Sequence, residues 1–132
     1  MILQLNYEEG TALTAAAERI RDRAGCSPAS PLAEEMEPLV HRLPVHGEVS
    51  VSSLPEQRAL LNAVDIVLIH LRRRMDRIVV EQYVGAEDAV SAYFDYAHVL
   101  TVRSRLRALG REMAALAEVM AGTSDDDVRF PD

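Results

Sequence analysis

Lysine, tryptophan and paired cysteines are missing from this 132-residue sequence. Because Cys26 is the only cysteine, no disulfide can form within the chain. All 14 basic residues are arginine, and the codon preference of a GC-rich genome is a sufficient explanation for that choice. Since aromatic residues make up only 5%, leucine, valine, isoleucine, methionine and alanine must fill the interior. The composition therefore favours an α-helical fold without covalent cross-links.

Motifs for catalysis and targeting are missing as well. The sequence has no glycine-rich phosphate loop, no CxxC pair and no HExxH motif. Residues 1–6 lack the basic and long apolar regions of a signal peptide. The most apolar window, 60–71, contains Asn62, Asp65 and His70 and is too short to span a bilayer. We therefore expect a cytoplasmic protein with no membrane partner, catalytic residue, cofactor or resident metal, and we favour a non-enzymatic function over an enzymatic one.

The charge is negative and unevenly distributed. The formal net charge is −7, which argues against a general nucleic-acid binder because counterion release requires a basic face. Residues 57–122 hold nine arginines and eight acidic residues, whereas the segments on either side of them are acidic. A nearly neutral, arginine-rich region thus lies between two acidic ends, and we do not expect a nucleic-acid partner.

The segment from Gly85 to Gly122 contains no proline, and its only internal glycine is Gly110. One apolar residue per turn recurs along it at steps of three and four, the pattern of a packed helical hairpin or coiled coil. An unbroken helix here would be about 54 Å long at 1.5 Å per residue, whereas a compact domain of this size has a radius of gyration of about 14 Å. The sequence therefore predicts a helix that extends beyond its own domain.

Helix signals and two short strands complete the predicted fold. Asn6 and Ser53 are candidate N-caps, each followed by a glutamate three residues later. Alternating apolar residues predict strands at 2–5 and 48–52, which we expect to pair with each other. Pro38 should shorten or bend the second helix. We predict a mainly α fold with four helices, the last two forming a long antiparallel hairpin about Gly85, in one domain over 1–122 followed by a disordered acidic tail over 123–132.

The predicted hairpin has two apolar stripes, and we expect the two short N-terminal helices to be too small to cover both. We therefore predict a homodimer that buries the stripe of the last helix. Each fully buried leucine or methionine contributes about 2 kcal/mol, so a few per chain are sufficient. The predicted dimer interface consists of Val99, Val102, Leu106, Leu109, Met113, Leu116 and Met120.

Arginines on the last two helices are candidate docking residues. Arg103, Arg107 and Arg111 recur at intervals of four on one helical face, and a second cluster includes Arg72, Arg73, Arg74 and Arg77. Because arginine binds carboxylates and phosphates through paired hydrogen bonds, either group could receive an acidic partner. The alternative is internal pairing, for example between Asp65 and Arg105, or simple solvation.

A carboxylate and an imidazole lie three residues apart at Asp95 and His98, a spacing that helical bundles use for iron or manganese. In the predicted hairpin, His70 on the third helix lies at about the same level along the hairpin axis as His98 on the fourth helix. The alternative is that Asp95 and His98 are surface residues or a local hydrogen-bonded pair. A di-metal bundle would need two carboxylate–histidine motifs, and the sequence contains only one. The neighbouring face with Val90, Tyr93 and Leu100 is predicted to pack against the third helix.

These patterns support three functional hypotheses. The first is a non-enzymatic, dimeric helical regulator or adaptor from a bacterium, phage or plasmid, which binds itself and another protein. The second is a helical bundle that binds a metal or small ligand near Asp95, His98 and His70. The third, specific DNA binding through arginines of the last helix, is disfavoured by the acidic balance.

Overall fold

A computed structural model of the chain describes residues 1–25, 32–44, 46–81 and 86–129. Its elements are, in chain order, strand β1 (Ile2–Leu5), helix α1 (Tyr7–Gly25), helix α2 (Leu32–Glu37), strand β2 (Gly47–Ser50), helix α3 (Leu54–Glu81) and helix α4 (Ala86–Arg129). The predicted mainly α fold, with four helices and a minor two-stranded sheet, is confirmed. Cys26 and the predicted turn at Gly85 lie outside the described residues.

The two strands form an antiparallel pair. Ile2 lies opposite Ser50 and Leu5 opposite Gly47, and Gly47 has a φ of 114°, a backbone conformation that glycine adopts without strain. Leu3 and Leu5 are buried while their neighbours in the strand are exposed. The expected pairing of the two strands is confirmed, and the sheet covers one end of the helical core.

Both predicted N-caps are present. The Glu9 backbone N–H donates to Asn6 Oδ1 at 2.8 Å, and the Asn6 N–H donates to Glu9 Oε1 at 2.9 Å, which is a reciprocal capping box. At the start of α3 the Glu56 N–H donates to Ser53 Oγ at 3.3 Å, while the Glu56 carboxylate accepts from the Ser52 hydroxyl at 2.8 Å. These bonds fix where α1 and α3 begin.

Pro38 changes the helix type within the second helical segment. Helix α2 ends at Glu37, and residues Pro38–Arg42 form a single π-helical turn. Proline lacks a backbone N–H and so removes one α-helical hydrogen bond. The predicted interruption is confirmed, and the wider turn buries Leu39 in the core.

Helix α4 packs antiparallel along α3, as predicted. Three contacts set the register: the Gln57 side chain donates to the Leu106 carbonyl at 2.9 Å, Asp65 pairs with Arg103 at 2.5 Å, and Asp95 pairs with Arg74 at 3.5 Å. Arg103 is therefore the ion-pair partner of Asp65, the carboxylate that was predicted to lie near Arg105.

One apolar core joins α1, α2, α3, α4 and the sheet. Helix α1 contacts both α3 and α4 through a face that includes Leu13, Ala16 and Ala17, each completely buried. The small alanine side chains allow neighbouring helices to approach closely. Val64, Leu71 and the first half of the α4 stripe are buried in the same core. The apolar stripes of α3 and α4 are thus buried together in the core of a single chain.

Helix α4 is continuous through Gly110. Its 44 residues correspond to a length of about 66 Å at 1.5 Å per residue, whereas α3 is about 42 Å long. The bounds of α4 include residues 123–129, which the sequence analysis assigned to the acidic tail. Disorder of that tail stays a prediction.

Candidate functional site

The overhang, defined as residues 114–121 of α4, extends beyond the helical core. All eight side chains are exposed, with Leu116 at 54%, Val119 at 63% and Met120 at 65%. Glu118 is the only charged residue among them. A helix that is apolar on every side is normally buried, so this segment is an unusual surface for a single chain.

The structure corrects the predicted dimer interface. Val99, Val102 and Leu106 are completely buried in the core of one chain, and Leu109 is nearly so. Helix α1 and strand β1 cover this part of α4, which the sequence analysis did not anticipate. Met113 is partly buried against the core. Only Leu116 and Met120 of the seven predicted residues are exposed, and both belong to the overhang.

A second feature is a concave site between α1 and α3, which we call the arginine cavity. Its volume is about 360 Å³ and its lining consists of Arg19, Arg23, His70, Arg73, Arg74 and Arg77. Within the described residues, Arg23, Arg73 and Arg77 have no ion pair. Five of the 14 arginines of an acidic chain therefore converge on one small space.

Arg19 contributes a partly buried guanidinium to the cavity. Its Nε and one terminal nitrogen are shielded from solvent and have no hydrogen-bond partner in the described part of the chain. Desolvation is the main cause that lowers the pKa of Arg19, and the charges of Arg74 and Arg23 lower it further, whereas Asp95 raises it. The site thus holds a cation with two buried nitrogens that make no hydrogen bond, an arrangement that costs free energy.

His70 lies among these arginines and is partly buried. Burial is the largest cause that lowers the pKa of His70, and the charges of the cavity arginines lower it further, namely Arg19, Arg23, Arg74 and Arg77. The imidazole is therefore held neutral over a wider pH range than a solvent-exposed histidine.

This lowered pKa predicts a pH dependence of stability. Because the unfolded chain binds a proton at His70 more readily than the folded chain, stability is fully present above about pH 6.5 and is lost as the pH falls through the lowered pKa. The charged groups that face His70 are the cavity arginines of α1 and α3, and Asp95 of α4 is the carboxylate paired with one of them, Arg74. In urea unfolding, wild type should lose more free energy between pH 7.5 and 5.5 than the His70→Gln variant does. Parallel pH profiles would contradict this assignment.

The predicted ligand residues do not share one site. Asp95 and His98 line a cavity of about 400 Å³ with residues of α1, whereas His70 lines the arginine cavity. Asp95 is paired with Arg74, and the His98 ring lies against Phe94 with 6.5 Å between ring centroids. Among the described residues, no group of three or more His, Cys, Asp or Glu side chains is placed to hold a metal ion.

The three predicted docking arginines have different environments. Arg103 is paired with Asp65, whereas Arg107 and Arg111 are exposed. The neighbouring Arg105 donates to the buried Glu9 carboxylate at 2.6 Å, which joins α4 to the start of α1. Internal pairing therefore accounts for Arg103 and Arg105, and docking through Arg107 and Arg111 stays a prediction.

The face of α4 predicted to pack on α3 is instead exposed. Val90 is 52% and Tyr93 60% accessible, and Tyr93 contacts Phe94 edge to face at 6.1 Å between ring centroids. The prediction was wrong because α4 presents Asp95 and Val99, rather than this face, to the rest of the chain.

Sequence reasoning found the arginines of α3 but missed Arg19 and Arg23. A signal was present: Arg19 and Arg23 are four residues apart on α1, as are Arg73 and Arg77 on α3. Like charges at this spacing repel each other within a helix. Two such pairs are a pattern that a compensating anion would explain.

The chain matches no protein-family model, and no curated protein or solved structure is significantly similar to it. In the described part of the chain, no helix combines the length and apolar character needed to cross a membrane.

Proposed function

We propose that this chain is a non-enzymatic helical interaction protein that forms a homodimer through the overhang of α4. The observation that carries the proposal is the exposure of all eight side chains of the overhang, seven of which are apolar. Exposed apolar patches on proteins mark interaction surfaces or aggregation sites. The preceding part of the same apolar stripe, from Val99 to Leu109, is already buried within its own chain.

A second copy is the occupant that suits this surface best. Met113, Leu116 and Met120 continue the three-four spacing of a coiled-coil seam, and a twofold axis would place the same seam opposite it. With Glu118 as the only charge, little like-charge repulsion opposes self-association. A strongly charged partner would find no complementary charge here.

The expected affinity is modest. Full burial of a leucine, valine or methionine gains about 1.5–3 kcal/mol, so three partly exposed side chains from each copy gain on the order of 8 kcal/mol. Association itself costs about 4 kcal/mol or more. The net gain of about 4 kcal/mol corresponds to a dissociation constant in the millimolar range, which fits a reversible regulator better than a permanent assembly.

The Leu116→Glu/Met120→Glu double variant tests the proposal. Two carboxylates in the seam would need desolvation on association, so the variant should stay monomeric at concentrations at which wild type dimerises. Sedimentation equilibrium over a wide concentration range measures this directly.

The matched control is Val90→Glu/Tyr93→Glu, which makes the same kind of change on an exposed apolar face elsewhere on α4. This control should dimerise like wild type. A wild-type protein that is monomeric at every concentration would overturn the proposal, and so would equal weakening by both variants.

The wider role follows the same reasoning. We expect a small cytoplasmic regulator or adaptor of bacterial, phage or plasmid origin, with another protein as its second partner. Exposed Arg107 and Arg111 are available to an acidic surface on that partner. The alternative that the sequence raised, a metal- or small-ligand site near Asp95 and His98, is distinct from the arginine cavity, which neither of these two residues lines.

A further inference from the structure

We infer that the arginine cavity binds a small anion with two or more phosphate groups, of which inorganic pyrophosphate and tripolyphosphate are the simplest examples. This site is independent of the proposed dimer interface. The cavity involves the C-terminal halves of α1 and α3, whereas the overhang extends past the N-terminal end of α3.

The first argument is charge. Five guanidinium groups line the cavity, and the only described carboxylate paired with any of them is Asp95, on Arg74. The cavity therefore has an excess of about four positive charges in a chain whose formal net charge is −7. Since acidic residues are abundant elsewhere, this concentration is not the by-product of a basic surface. A multiply charged anion would remove the mutual repulsion.

The second argument is the buried donor set of Arg19. Its Nε and one terminal nitrogen have no acceptor in the described part of the chain. Buried polar groups are almost always hydrogen-bonded, and a group without a partner calls for a ligand, ion or water. Because these nitrogens are shielded from solvent, a phosphate oxygen would accept from them after the Arg19 side chain turns toward the cavity, and an acceptor that carries charge gives the stronger kind of hydrogen bond.

The lining indicates which anion is recognised. Every lining residue in the described part of the chain is an arginine or a histidine, so the cavity offers planar, forked donors that match phosphate oxygens. Among those described residues, none is an aromatic side chain on which a base could stack. Its volume of about 360 Å³ is at the small end for ligand sites. The arginines come from two helices and face one concave space, which favours a compact polyanion over an extended nucleic-acid strand.

Isothermal titration calorimetry with tripolyphosphate tests the inference on the full chain at low salt. Wild type should bind one equivalent, and affinity should fall as salt rises because the contacts are ionic. The Arg73→Gln/Arg77→Gln variant should bind at least about tenfold more weakly, since hydrogen bonds between charged groups are the strong ones. Adenosine triphosphate in place of tripolyphosphate shows whether a nucleoside adds affinity, and citrate shows whether a carboxylate anion can substitute.

The matched control is Arg107→Gln/Arg111→Gln, which removes two exposed arginines at the same helical spacing outside the cavity. Its affinity should stay within about twofold of wild type, because distant exposed charges are screened. Without ligand, the cavity variant should melt no lower than wild type, since like charges have been removed.

A second measurement uses His70 as a reporter inside the cavity. Tripolyphosphate should raise the pKa of His70 in an NMR titration, because a bound anion favours the imidazolium ion. Absence of binding, equal weakening in both arginine variants, stronger binding of citrate than of tripolyphosphate, or an unchanged His70 pKa at saturation would each overturn the inference. None of these results depends on whether the chain dimerises.

Discussion

Replacing Leu106 with alanine should destabilise the folded chain by about 3 kcal/mol, because leucine-to-alanine changes at buried sites cost about 2–5 kcal/mol. The Leu106 side chain is completely buried in the core. Alanine would lose the transfer free energy of the deleted atoms and leave a cavity that rigid helices cannot close. Urea unfolding measures the loss, and the monomeric Leu116→Glu/Met120→Glu background keeps association out of the measurement.

Leu116→Ala is the control, measured in the otherwise unchanged chain well below its dimerisation concentration. Leu116 belongs to the same stripe of α4 but is 54% exposed, so this change should cost little, as exposed substitutions generally do within about 0.5 kcal/mol. Equal destabilisation by the two changes would contradict the boundary between core and overhang. A Leu106→Ala chain that remains as stable as wild type would contradict the burial of that side chain.

The contrast between Leu106 and Leu116 shows what periodicity can predict. The three-four spacing identified the helix and its apolar side correctly, since that depends on local geometry alone. Which part of the stripe is buried depends on helix α1, whose alanine face fits against α3 and α4. The size of a neighbouring helix does not show how much surface it covers, so the predicted interface included residues that the chain already buries.

The arginine cavity shows a second limit. Arg19 and Arg73 are more than fifty residues apart, and only the packing of α1 on α3 brings their charges to one place. Asp95 illustrates the same limit: its spacing from His98 suggested a ligand pair, but the structure directs its carboxylate to Arg74. Local spacing identifies groups that share a helix face, and tertiary packing determines their partners.

Gly110 lies inside the last helix, where glycine costs about 1 kcal/mol relative to alanine, and the structure gives it a packing role. A Cβ atom built there would lie only 2.6 Å from the Gln57 side-chain carbon Cδ. The Gln57 side chain is buried and donates to the Leu106 carbonyl, one helical turn before Gly110. Glycine therefore makes room for an amide that holds the start of α3 against α4.

The Gly110→Ala variant should consequently be less stable than wild type by about 1 kcal/mol, although alanine is better than glycine by about 1 kcal/mol in a helix interior. The added methyl group would displace the Gln57 amide and leave a buried polar group without its hydrogen bond, which costs about 1–3 kcal/mol. In a Gln57→Ala background the same change should instead stabilise the chain by about 1 kcal/mol, because the methyl group enters vacated space.

Urea unfolding of wild type, both single variants and the double variant gives the coupling free energy between the two positions, which we expect to be about 2 kcal/mol. The reversal of sign between the two backgrounds separates close packing from helix propensity, since propensity alone gives stabilisation in both. If Gly110→Ala stabilises the wild-type chain, Gln57 does not occupy this space. The continuity of α4 at Gly110 would then depend on the backbone hydrogen bonds of the helix alone, and not on this contact with α3.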